Sequence, residues 1–450
     1  MTQMKKESHI EALGIERVLP HQRKDHRIFN NLTLWLSANF NLSTLALGSL
    51  AIPVFKLGIL ETFAAIVIFN FMAAFPVSVL ATLGPKLGLR QMTISRFSFG
   101  WSGAKVMALF NAATCIGWST VNVMVGGQLA QELSHSLINP ALAILILSLL
   151  TMIVSLYGYK YIHLYERFAW LPMVVIFIIL FKLNFSAMAV TPAKLAGTQW
   201  IAAWLSFGAA VFGYAVAWAS YAADYNVNQP ETTPPKKVFW LTYLGISIPC
   251  ILLETLGASL TTIGPFKEKT GGILLAASTQ TLGALAPLIL FFFVLSLIAA
   301  NVPNDYSLGL SLQLLGQKWR KISRALWTVL GTIAYVLIAI ISGTGFNDTL
   351  TEFLLLITYW LAPWTTIMLI EHFYFRRGQY DIEHWNTPHL LPKGRAALFA
   401  LFLGLVGSYL GASQALFVGP VSRLLSNADI GFELGVVFSG CSYFYLRGRT

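Results

Sequence analysis

Apolar residues run along this chain in long blocks separated by short polar stretches, with no sustained two-residue alternation. A block of about 18 or more apolar residues is long enough to cross a bilayer as a helix. Twelve blocks are visible, near 33–55, 60–84, 106–131, 137–158, 166–182, 196–222, 238–263, 281–302, 325–346, 352–370, 396–414 and 429–446. The fifth is short and ends at Lys182. A membrane β-barrel would instead show segments of about ten residues that alternate apolar and polar. The pattern predicts an all-α polytopic membrane protein with twelve transmembrane helices.

Composition narrows the class further. Of 450 residues, 56% are apolar and 11% are charged, against about 25% charged in soluble domains. Mean hydropathy is +0.66. The net charge of +11 raises the question of nucleic acid, but its distribution answers it. With the N-terminus inside, 24 of the 30 Lys and Arg fall on the inner side, leaving Lys56, Lys182, Lys194, Lys267, Lys269 and Arg423 outside. Basic residues concentrate on the cytoplasmic side of membrane proteins. Both termini are therefore expected in the cytoplasm, in the plasma (cytoplasmic, inner) membrane. The basic excess then needs no nucleic acid, and some inner clusters sit where anionic head groups lie. Residues 1–30 are polar and lack the apolar core of a cleavable signal, so the first span is expected to act as the insertion signal.

The predicted organisation is a cytoplasmic N-terminal segment (1–30), a ten-helix core (31–370), a cytoplasmic connector (371–395), and two further helices with a short tail (396–450). The core would consist of two repeats, about 31–183 and 196–370. Nothing in the sequence fixes an oligomeric state.

Polar residues inside the spans carry the chemistry, because they are costly there and tend to face cavities or partners. The first span holds Ser37, Asn39, Asn41, Ser43 and Thr44 close to its middle. The sixth runs Gly208, Gly213, Tyr214, Trp218, Ser220 and Tyr221, and its glycines would permit unwinding. Interrupted helices at matching positions of two halves point to a transporter's substrate site; alternatively, small polar residues merely ease helix packing. In the third span, Trp118 and Asn122 lie four residues apart and share a face. An indole beside an amide suits a planar heterocycle, stacking on its ring and hydrogen-bonding its edges. The eighth span ends in Asn301, Pro303, Asn304 and Asp305; Asn301 and Asn304 share a face, unless this is a capped helix terminus. Glu254 within the seventh span, Asp224 at the end of the sixth, and Asp305 are candidate proton-linked carboxylates.

No Gly-rich phosphate loop, metal-ligand spacing or nucleophile elbow is present, and no cofactor is called for. Cys115, Cys250 and Cys441 all lie in apolar runs and read as small buried hydrophobes.

The chain resembles the nucleobase–cation symporter family, in particular its purine–cytosine permease branch. The segments that carry the resemblance are Trp35 to Asn41 with Gly48, Gly84 to Gly100, Gly117-Trp118, Ser220 to Tyr225 and Ala300 to Asn304. The resemblance implies a leucine-transporter-type fold, with two inverted five-helix repeats plus two helices. It places a substrate site between spans one, three, six and eight, with Trp118 stacking on the ring. Asn122, and Asn301 or Asn304, would hydrogen-bond the ring edges; Asn39, Gly213, Tyr214 and Trp218 are further candidates. Two departures stand out. Several relatives carry an aromatic-like group nine residues before the span-six Asp, where this chain has Ala215, which leaves Tyr214 or Trp218 to cover the ring. Sodium-coupled relatives use span-eight hydroxyls, where only Ser296 remains between Leu295 and Leu297. A hard cation wants about six or more oxygens, so protons are expected as the coupling ion and sodium less so. The expected function is secondary active import of a nucleobase, cytosine or a purine, by proton symport. Allantoin, hydantoin, uracil, thiamine or a nicotinamide-like base is the rival cargo, and a membrane enzyme or a non-transporting channel or sensor the rival class.

Overall fold

The computed structural model describes residues 14–449 apart from 135, 344 and 345. Residues 1–13 of the expected N-terminal segment lie outside the described residues. Nine helical segments among the described residues are long and apolar enough to cross a membrane. With a broken first span and two shorter helices near the C-terminus, they follow the twelve apolar blocks in order. Span one is Asn30–Asn39 and Leu42–Gly48, span two Ile59–Ala81, span three Arg96–Leu133 and span four Pro140–Tyr157. Span five is Tyr159–Glu166 and Trp170–Asn184, and span six is Gly197–Val216 continued by a 3-10 stretch, Ala217–Tyr225. Span seven is Pro235–Leu260, span eight Ala286–Leu314, span nine Arg324–Ser342 and span ten Phe346–Ile370. Arg395–Gly411 and Gly431–Arg447 form spans eleven and twelve. The only strands among the described residues are a two-residue pair, Ser413–Gln414 and Phe417–Val418. The fold is all-α.

Local chemistry sets the ends of these helices. Span four starts where the Asn139 side chain accepts from the Ala141 N–H and Pro140 supplies a preset φ. Ser323 caps span nine through the Leu326 N–H. Span three is kinked at Gly100, whose φ of 68° belongs to the left-handed region. A side chain there would also run into the Pro392 carbonyl. The connector before span eleven is thereby pressed against the start of span three.

Span three packs along span eight, span two along span seven, and span one against span seven. Spans eleven and twelve pack chiefly on each other and on span ten. Four arginines are buried rather than splayed toward the surroundings: Arg23, Arg90, Arg96 and Arg324. Arg23 donates to the Val18 carbonyl at 2.9 Å, Arg90 to that of Asp224 at 2.6 Å, and Arg96 to that of Trp385 at 3.0 Å. Arg324 donates to the carbonyls of Ser155 and Leu156 at 3.0 and 3.1 Å. Arg90, Arg96 and Arg324 thus satisfy carbonyls near helix ends in other segments.

Three expectations need correction. Span five begins at Tyr159, not near 166, because 159–166 is helical despite its polar residues. Span eight does not end near 302: its helix continues through Pro303 to Leu314, which also excludes the alternative of a capped terminus at the polar run. In span six the glycines do not unwind the chain. Gly208 lets Phe69 approach, Gly213 lies against the Leu354 carbonyl and Thr358, and the helix departs from α only after Val216.

Candidate functional site

The site is built around the gap in span one. Its first helix stops at Asn39, and the backbone leaves helical form at Phe40 (φ −77°, ψ 68°). Asn41 is extended (φ −140°, ψ 172°), and its side chain accepts from the Ser43 and Thr44 N–H groups, starting the second helix. The Thr44 hydroxyl donates to the freed Asn39 carbonyl at 2.6 Å. The gap therefore satisfies its own backbone groups inside the membrane, as a non-aqueous medium demands.

Four spans bring side chains to this gap. A small cavity of about 10 Å³, room for about one water, is lined by Trp118, Asn122, Tyr214, Trp218, Ala300 and Asn304. All six residues are buried. Trp118 stands perpendicular to Tyr214 and to Phe353, with ring centroids 5.1 and 5.3 Å apart. The Tyr214 hydroxyl lies 2.7 Å from that of Thr44. Trp218 donates its indole N–H to Asn39 Oδ1 at 3.0 Å and meets Trp35 edge-on.

The amides form a chain along one wall. Ser43 donates to Asn122 Oδ1 at 2.7 Å, Asn122 Nδ2 donates to Asn301 Oδ1 at 3.3 Å, and Asn304 Nδ2 reaches the same oxygen at 3.5 Å. The Tyr221 hydroxyl donates to Asn304 Oδ1 at 2.7 Å. Along this wall, Trp118 Nε1 and Asn301 Nδ2 are buried donors with no protein partner among the described residues. Buried donors are nearly always satisfied, so two orphans beside one cavity mark a place where a ligand's acceptors fit. An indole face, orphan N–H groups and an amide wall are groups that suit a flat, polar-edged ring.

The residues singled out from the sequence separate into two sets. Trp118, Asn122, Tyr214, Trp218, Asn304, Asn301 and Asn39 lie on the cavity or hydrogen-bond directly to the residues that line it. Gly213 faces span ten instead. Asp305 lies one turn beyond Asn301 and accepts from Ser119 and Tyr335 at 3.3 and 3.4 Å. Asp224 is held at the C-terminal end of span six by the Gln91 N–H (2.7 Å) and the Ser307 hydroxyl (2.9 Å). Glu254 accepts from Asn70 of span two at 2.7 Å, away from the cavity. Ser296 donates to the Phe293 carbonyl of its own helix at 2.7 Å. Among the described residues no three His, Cys, Asp or Glu side chains gather as metal ligands.

Ser43, Thr44 and Tyr221 belong to the site and were absent from the candidate residues. Ser43 and Thr44 sit in the polar cluster of span one; the signal was present, but the register that turns them inward depends on the gap. Glu166 is a further omission: it is buried within span five, with Ser37 donating to its backbone carbonyl at 2.6 Å.

Comparison with known proteins supplies the rest. A family model described as "Permease for cytosine/purines, uracil, thiamine, allantoin" matches residues 18–422. The purine-cytosine permease fcyB of Emericella nidulans is 38% identical over 98% of this chain and 89% of its own length. The purine-cytosine permease FCY2 of Saccharomyces cerevisiae is 33% identical over 97% of this chain and 85% of its own. Among solved structures, Mhp1, a nucleobase-cation-symport-1 family transporter captured closed with bromovinylhydantoin bound, superposes with a TM-score of 0.76. That match covers 98% of this chain and 96% of that one at 14% identity. The leucine-transporter-type architecture expected from the sequence is the one adopted.

Proposed function

The chain belongs to the family of permeases for cytosine/purines, uracil, thiamine and allantoin, and we propose that it imports cytosine and purines by proton symport. Its place would be the plasma (cytoplasmic) membrane, with both termini in the cytoplasm, as the inner concentration of Lys and Arg supports. Residues 31–183 and 196–370 would be the two repeats, and in alternating access a bundle of spans one, two, six and seven would move relative to a scaffold of spans three, four, eight and nine.

The observation that carries this reading is the enclosed cavity with two orphan N–H donors, Trp118 Nε1 and Asn301 Nδ2, at the gap in span one. A planar base would lie against Trp118, with Tyr214 or Trp218 closing over it. Its ring nitrogens and exocyclic groups would meet Asn122, Asn301 and Asn304, replacing amide–amide hydrogen bonds of 3.3 and 3.5 Å that are long for such pairs. Substrate binding at the gap would pull spans one and six onto spans three and eight, closing the outer route. The coupling proton would reside on a buried carboxylate. No step breaks a bond in the cargo, so the protein would be a carrier and not an enzyme.

The test is uptake of labelled cytosine into cells lacking their own nucleobase carriers, with adenine, hypoxanthine, hydantoins and vitamins as competitors. Saturable uptake blocked by adenine or hypoxanthine, indifferent to sodium and abolished by a protonophore, is expected. Trp118→Ala should remove uptake with surface abundance intact; normal uptake in that variant would refute the site, and sodium dependence would refute the coupling.

A further inference from the structure

We propose that Glu166 is the group that carries the coupled proton, a role resting on the symport reading above. Glu166 lies at the end of the first helix of span five and is fully buried. Neither of its carboxylate oxygens is paired in good hydrogen-bond geometry among the described residues; the one hydroxyl beside them, of Ser37, is given to the Glu166 backbone carbonyl. The other buried carboxylates of the core are better held. Asp224 and Asp305 each have both oxygens accepting hydrogen bonds, and Glu254 has one. An ionised carboxylate without donors inside a membrane protein is strongly disfavoured, whereas the neutral acid is tolerated. A group so placed takes up a proton when the site is sealed and gives it up when water reaches it.

Its position links that event to the substrate. Ser37, one turn before the gap in span one, gives its hydroxyl to the Glu166 backbone carbonyl. Asn39, two residues further on, accepts from the cavity residue Trp218, and Thr44 across the gap meets Tyr214. Proton site and substrate cavity thus both hold the first half of span one, the cavity holding the second half as well, and movement of that first half disturbs both.

The surroundings carry no competing charge against the side chain. The first helix of span five packs against spans one, four and eight. The first half of span one, Asn30–Asn39, has no titratable side chain, and span four has only Tyr157, which is exposed. Span eight contributes Asp305, held by Ser119 and Tyr335, and Tyr306, over which Arg324 and Arg90 lie. On span five itself, Tyr159 and His163 bond to the Tyr225 carbonyl, Tyr165 to that of Leu295, Lys160 lies over the Tyr161 ring, and Arg167 follows directly. The second half of span five carries one basic residue, Lys182, near its far end.

The step is a simple protonation: a proton from outer water bonds to a Glu166 carboxylate oxygen, and the same O–H bond breaks when the inner side opens. The experiment compares wild type, Glu166→Gln and Glu166→Asp in vesicles by two assays. One is accumulation of labelled cytosine driven by a pH gradient, where one pH unit supports about tenfold accumulation at one proton per cytosine. The other is cytosine counterflow with no gradient. Glu166→Gln, which mimics the protonated acid, should keep counterflow and lose accumulation, with Glu166→Asp restoring accumulation at a shifted pH profile. Accumulation by Glu166→Gln with the wild-type pH profile overturns the proposal, as does loss of counterflow together with accumulation in a variant that reaches the membrane. Should the Gln variant not fold, wild type decides. A hydrophobic carbodiimide, mapped by mass spectrometry, should modify Glu166 less as pH rises and less under saturating cytosine, and an unmodified Glu166 overturns it. A wild type that exchanges cytosine but accumulates it only on a sodium gradient refutes proton symport itself. Failure of Glu166 alone, with wild type proton-driven, leaves that reading standing.

Discussion

Spans one and six both depart from the α-helix within the membrane, and they do so by opposite means. Span one stops and restarts, and side chains cover the exposed backbone: Asn41 accepts from two N–H groups and Thr44 donates to the Asn39 carbonyl. Span six never stops. It tightens into a 3-10 stretch from Ala217 to Tyr225, off helical form only at Tyr221 (φ −144°, ψ 19°), and no side chain caps the transition. Tightening keeps most backbone groups paired along the segment itself. A gap creates an entry point for a ligand at the cost of dependence on two or three side chains; a tightened turn leaves its side chains free for other tasks. Tyr221 accordingly reaches Asn304 instead of its own backbone.

The sharpest way to break this comparison is at Gly48, the last residue of span one's second helix. A side chain there would collide with the Glu254 backbone of span seven. Gly48→Val should prevent folding, costing more than the about 1–3 kcal/mol of ordinary overpacking. Size-exclusion profiles and surface abundance would report it, and a well-folded variant would show that the second helix does not need so close an approach. Next in size is Asn41→Ala, which removes the acceptor for two N–H groups and should cost about 1–2 kcal/mol. Thermal unfolding in detergent would show the loss, with Asn41→Ser recovering part of it; an unchanged Tm would mean the gap does not rely on its cap. The smallest effect is expected from Tyr221→Phe. One hydroxyl is lost, worth about 1 kcal/mol, and the loss should fall on substrate affinity and not on stability. A Tm drop as large as that of Asn41→Ala would erase the distinction between the two spans.

The same contrast explains what could be read from the sequence. Twelve spans follow from hydropathy, since length and apolar character are local properties. Trp118 and Asn122 were legible because costly residues four apart on one helix share a face. The span-six turn was misplaced because glycine's conformational freedom and its smallness leave the same mark in sequence, and here smallness is used, against Phe69 and Leu354. Glu166 was missed because Lys160, His163 and Arg167 gave 159–167 the look of an inner loop. A signal was nevertheless there: Tyr159, Ile162, His163 and Glu166, the buried residues of that helix, stand at the i, i+3, i+4, i+7 spacing of a buried helical face. Which of the two asparagines lines the cavity, by contrast, depends on how spans three and eight turn against each other, a long-range matter that spacing alone does not set.

The four buried arginines bear on how the protein is made. In the proposed topology Arg23, Arg90, Arg96 and Arg324 would belong to the basic excess that orients the nascent helices during insertion, yet in the folded molecule they are buried and bonded to carbonyls. One set of residues thus serves two stages of biogenesis in succession, first as a topological address and then as internal rivets. The stages ask different things of the side chain. Orientation needs only a positive charge, which lysine supplies equally well, whereas Arg324 spans two carbonyls at once and needs the planar guanidinium fork. A chain could therefore be threaded correctly into the bilayer and still fail to assemble.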